Sequence, residues 1–112
     1  MSVFINSLKT FESDITGEAK EYRINNAVWA FLKSKFDLSQ TEWAMGFEQE
    51  EVLYGAKFVV CVLQANGLEV TEQEVLENTN AMDVANFVIS YQTAMLKKDN
   101  SHVKKEEETE GK

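Results

Sequence analysis

The sequence predicts a small, mainly α-helical domain of four to five helices followed by a disordered C-terminal tail. Three observations lead there. Ser39 with Glu42, and Thr71 with Glu74, match the S/T-x-x-E capping box that opens helices. Gly46 and the Asn66-Gly67 pair are helix-stop signals. Apolar residues between 81 and 96 recur at i, i+3, i+4 and i+7, the spacing of one helix face. A length of 112 residues allows one domain and hardly two.

The N-terminal third supports two readings. Val3 to Ile5 and Lys20 to Ile24 form a two-stranded β-ribbon around the polar stretch that contains Gly17, or an initial helix runs through Leu8 and Phe11. Asn25 or Asn26 then caps a helix over about 26–36, with Val28, Trp29, Leu32 and Phe36 as its buried set. The Ser39–Glu42 box opens a short helix carrying Trp43, which Gly46 terminates. For Phe47 to Gly67 the β-branched run KFVVCVL suggests a buried strand. The acids Glu48, Glu50 and Glu51, placed where a helix dipole favours negative charge, argue instead for one helix over about 48–65. Val52, Ala56, Val59 and Leu63 align on one side of that helix, while Tyr54, Phe58 and Cys61 make a second apolar side. The Thr71–Glu74 box predicts a short helix over 72–78, packed through Val75 and Leu76.

Asn80 caps the last helix, with Asp83 at its third position. Its apolar arc, from Ala81, Ala85, Val88, Ile89, Met95 and Leu96 round to Val84, Phe87 and Tyr91, is far wider than the ~100° stripe of an ordinary surface helix. Such a helix is either deeply packed or binds something. The final stretch, Lys97 to Lys112, has one apolar residue, five Lys and five acids, too little apolar surface to offset the entropy of ordering it. The folded domain is therefore residues 1–96, with six basic and fourteen acidic side chains, and holds the whole net charge of −8.

That charge argues against duplex DNA and anionic membranes as partners, since both require a basic footprint. No apolar run reaches the ~18–20 residues of a membrane span. The start, MSVFINSLKTFESD, has neither the basic segment nor the apolar stretch of a signal peptide. One Cys allows no internal disulfide and no multi-cysteine zinc site. The composition is that of an acidic, soluble, intracellular domain.

Catalytic candidates are few, and none is expected to be a catalytic, metal or cofactor site. His102, the one histidine, falls in the tail, where a general base would lack fixed geometry. Cys61 lies mid-helix in an apolar run and is expected to be an unactivated core thiol. The acids at 48, 50 and 51 lack the alternating ligands and turn glycine of a calcium loop. Phosphate loops, nucleophile elbows and zinc-protease pairs are absent as motifs. An aromatic excess remains: seven Phe, three Tyr and two Trp. It belongs either to a dense core or to a patch that takes up an apolar helix of another chain, with Tyr54, Phe58, Phe87 and Tyr91 as the expected lining.

The stretches VWAFLKSKFDLSQTEWAMG, EEVLYGAKFVVCVLQANGLEVTEQEVLENT and AMDVANFVISYQTAM, followed by a Lys/Glu-rich tail, resemble the tail assembly chaperones of long-tailed phages and prophages of Gram-positive bacteria. The resemblance spans about residues 20–112 and lies in the order of elements. It implies a non-enzymatic, cofactor-free chaperone in the cytoplasm of the bacterial host. Such a protein would bind apolar helical segments of the tape measure protein, keep that long chain soluble and help bring tail-tube subunits to it. It leaves room for a homo-oligomer. Two other classes fit the residues: an acidic inhibitor of a mobile element that blocks a basic host protein, and a helical adaptor that dimerises through its last helix.

Overall fold

A computed structural model describes residues 8–97 of the chain. They form a two-stranded antiparallel sheet and five helices: β1 (Thr10–Ser13), β2 (Lys20–Arg23), α1 (Ala27–Phe36), α2 (Gln40–Gln49), α3 (Glu51–Ala65), α4 (Glu72–Asn78) and α5 (Ala81–Leu96). The expected mainly helical domain with an N-terminal ribbon is what forms.

The ribbon reading holds for the start of the domain. Thr10–Ser13 pairs with β2, in the register Thr10↔Arg23, Phe11↔Tyr22, Glu12↔Glu21 and Ser13↔Lys20. Residues 3–5 lie outside the described residues, as do residues 98–112 of the expected tail and His102. The pairing is set by the side-chain alternation of a strand: Phe11 and Tyr22 face inward and are buried, while Glu12, Glu21 and Arg23 face water. The connecting turn closes with the Gly17 amide donating to Asp14 O at 2.8 Å, and Gly17 takes a φ of +94° that side chains disfavour.

α3 is the central helix. α1, α2, α4 and α5 all pack against it, and the sheet lies on α5. Ala56, Phe58, Val59, Val60, Cys61, Val62 and Leu63 are all buried, which accounts for its two apolar sides. Its start differs from expectation. α2 runs on through Gly46, so Glu48 belongs to the last turn of α2 and Glu50 is the junction residue. Gly46 is not a stop but a place of close approach: a Cβ there would sit 2.2 Å from the Tyr54 ring. Gly55 plays the same part between α3 and α5, where an added Cβ would meet Val84 Cγ1 at 2.3 Å.

The helix ends follow their caps. Ser39, Thr71 and Asn80 each accept the backbone N–H three residues on, and Glu42, Glu74 and Asp83 answer the cap residue's own N–H. α1 and α3 are the exceptions, and Glu50 at the start of α3 makes no side-chain cap. Asn26 makes no side-chain cap, and Asn25 Oδ1 instead accepts from the Ala27 amide at 3.1 Å. At the end of α3, Gly67 at φ +86° allows its own N–H to reach Gln64 O and the Leu68 N–H to reach Leu63 O, a Schellman closure. Asn66 beside it bridges α3 to the sheet. Its Oδ1 accepts from the Arg23 amide at 2.8 Å, and its Nδ2 donates to Arg23 O at 3.1 Å.

Candidate functional site: an apolar groove between α2 and α5

The aromatic excess is largely core. Phe58, Phe87 and Tyr91 are 1%, 1% and 3% exposed, so three of the four expected lining residues are buried and are not an open patch. The reason is that α3 is surrounded on every side, and what looked like a spare face of α3 and of α5 is the face each turns to the other. Phe58 and Tyr91 meet edge to face, with centroids 4.7 Å apart. Phe11 of the hairpin packs edge-on against Phe87 at 5.2 Å and Tyr91 at 5.7 Å, which docks the sheet on α5. Tyr54 stands apart, half-buried, with its ring over Gly46 and the Lys57 ammonium 5.7 Å from its centre. Lys57 also lies 5.1 Å from the Phe36 ring and pairs with Glu72 at 2.6 Å, tying α1, α3 and α4 together.

Two of the expected residues nevertheless meet at a surface feature. α2 and α5 both rest on α3, and a recess of about 260 Å³ opens beside them. Trp29, Trp43, Phe58 and Tyr91 form its apolar floor; Ala44, Val88 and Met95 are its walls, and Gln40 and Gln92 its polar rim. The floor is held rigidly. Trp43 stacks on Phe47 at 5.0 Å, touches Phe58 at 5.0 Å, and donates its indole N–H to Tyr54 O at 2.8 Å. Trp29 leans on Trp43 and Phe58 with centroids at 6.3 and 5.8 Å. Burial raises the pKa of the Tyr91 phenol, so the floor stays uncharged at neutral pH.

An exposed stripe of α5 adjoins the recess at Gln92. Ala85, Ile89, Gln92 and Leu96 follow one another at i, i+4, i+7 and i+11 and so share the helix flank beside Val88 and Met95. Ile89 is 56% exposed and Leu96 83%. The wide apolar arc of this helix is therefore divided: Val84, Phe87, Val88, Tyr91 and Ala94 face the core, and the adjoining stripe faces outward. Trp29 and Trp43 were not among the residues expected to line a surface. Their helical spacing points to burial, and Trp43 is indeed buried and Trp29 half-buried; only the packing of α1, α2 and α5 on α3 brings both to the recess.

Cys61 is fully buried, and burial, only partly opposed by the charge of Lys35, pushes its thiol up to about 12. That places it with core thiols rather than nucleophiles. Among the described residues no group of three or more His, Cys, Asp or Glu side chains is arranged to hold a metal ion. No described helix is long and apolar enough to cross a membrane. Searches against family models, curated proteins and solved structures find no match to this chain.

Proposed function

We propose that the protein is a non-enzymatic tail assembly chaperone, binding apolar helical segments of a phage tape measure protein and keeping that protein soluble in the host cytoplasm. The observation behind this reading is the groove: a recess with a rigid aromatic floor, adjoined by an exposed apolar stripe on a neighbouring helix. Helix-in-groove recognition needs such a surface, since an amphipathic helix presents apolar side chains at i, i+3 or i+4, and i+7. A recess of about 260 Å³ has ample room for one large side chain, given that a cavity of about 150 Å³ holds benzene. The resemblance in element order supplies the client, and a net charge of −8 keeps a surface of this kind soluble.

Co-expression with the tape measure protein of the same phage genome tests the proposal. The expected result is a soluble complex on size exclusion, with the tape measure protein insoluble when made alone. Equal insolubility with and without this chain overturns it. A second reading, an acidic inhibitor of a basic host protein, is favoured by one feature. The clefts on either side of the hairpin turn are lined by Glu12, Asp14, Glu74 and Asp83 and by no Lys or Arg. A pull-down of a basic host protein that Asp14→Lys with Asp83→Lys abolishes would select that reading.

A further inference from the structure

The groove has a polarity. Phe47, late in α2, and Val84, early in α5, are both found at Gly55 of α3, while Gln40 and Ala44, early in α2, share the recess with Gln92 and Met95, late in α5. The two helices that flank it thus run in opposite directions. At the Phe47–Val84 end, Glu48 lies one turn beyond Ala44 on the same flank of α2, and Glu51 lies one turn before Gly55 on α3; both are exposed, and neither is in an ion pair among the described residues. At the Gln40–Met95 end stand Lys97 and Lys9, whose ammonium donates to Met95 O at 2.9 Å and to Lys97 O. Acids therefore mark one end of an apolar trough and lysines the other.

We infer that the occupant is a segment of a partner chain in the form of an amphipathic helix, with basic residues at the end that lies against Glu48 and Glu51 and one bulky apolar side chain seated on the Trp29–Trp43–Phe58–Tyr91 floor. This rests on the binding role proposed above and adds the chemistry of what is bound. A second copy of the chain is the poorer occupant. Aligned antiparallel it would match the end charges as well, but the exposed stripe of α5 covers about two heptads, short of the three or four that sustain a coiled coil. The complementary charges give such a helix its register, while the apolar floor supplies most of the attraction.

Both tryptophans of the chain line the recess, so intrinsic fluorescence reports its occupancy. The probes are synthetic 18-residue amphipathic helices with one Leu/Phe apolar face, ending either in a Lys pair or in a Glu pair. With the full chain at low salt, the Lys-ended peptide is expected to shift the tryptophan emission and to bind about fivefold or more tightly than the Glu-ended one. Glu48→Lys with Glu51→Lys should reverse that order, and high salt should shrink it. Ala44→Arg, at an exposed position that leaves folding intact, should abolish the shift with either peptide. Equal affinity for the two peptides, a shift that survives Ala44→Arg, or concentration-dependent dimerisation that Ala44→Arg removes each overturns the inference. The two proposals fail separately. A soluble tape measure complex formed equally well by Ala44→Arg removes the groove and leaves the chaperone, whereas peptide binding as expected without any such complex removes the chaperone and leaves the groove.

Discussion

Tyr22 has its hydroxyl buried with no hydrogen-bond partner among the described residues, while its ring packs against Phe11 and Phe87. An unsatisfied buried hydroxyl costs about 1–3 kcal/mol, and the ring alone does the packing. Tyr22→Phe is therefore expected to stabilise the fold by about 1 kcal/mol, seen as a rise in thermal midpoint; a fall would mean that the hydroxyl is paired. Cys61 makes the stability depend on alkaline pH. Its thiol holds its proton to about 12 in the folded chain against an ordinary 9.0. Between those values the folded state binds more protons than the unfolded state, so stability present below pH 9 is lost as pH rises toward 12, at no more than about 1.4 kcal/mol per unit. The raised Tyr91 phenol acts in the same direction. Denaturant melts at about pH 8 and about pH 10.5 should show this fall, and Cys61→Ala should reduce it. A thiol reagent should label Cys61 only as the protein unfolds.

At the scale of elements, the helices are specified mostly by their ends, whereas the hairpin depends on its neighbours. A two-stranded ribbon is marginal alone. Here Phe11 anchors it to α5, and Asn66 ties its backbone to the end of α3 with two hydrogen bonds to Arg23. Asn66→Ala should cost about 1–3 kcal/mol and loosen β2 first. Amide exchange should then speed up in residues 20–24 well before α3 or α5; uniform loss of protection would show that Asn66 matters only as the helix cap. Asn66-Gly67 is legible in sequence as a stop signal, but the bridge to Arg23, 43 residues away, is not. Local chemistry marks where a helix ends and is silent on what the end touches.

For the whole molecule, the arrangement of four helices around α3 decides which apolar residues are free to act. Phe58 is at once the floor of the recess and the centre of the aromatic core, meeting Trp29, Trp43, Phe87 and Tyr91. Phe58→Ala is expected to cost about 3–5 kcal/mol, a large part of a stability of ~5–15 kcal/mol, and Phe58→Asp should unfold the chain. A circular dichroism melt checks both. A folded Phe58→Asp variant would mean that the floor is far more open than its 1% exposure implies. Binding is therefore to be tested at the walls and ends of the groove, through Ala44, Glu48 and Glu51, which have few packing duties.

The sequence by itself determined the fold class, the domain's acidity, the capping boxes at Ser39, Thr71 and Asn80, and the bounds of α4 and α5, because these depend on residues within one helical turn of each other. Only the tertiary structure decided that Gly46 sits inside a helix, since its reason is the Tyr54 ring eight residues on. It also decided that Thr10–Ser13 is the partner strand, and that the outward apolar stripe of α5 is Ala85, Ile89 and Leu96 rather than Phe87 and Tyr91. An apolar arc of about 200° shows that a helix has more than one sticky side. Which side meets water depends on where the other helices and the hairpin come to rest, and that is set by packing between residues far apart in the chain.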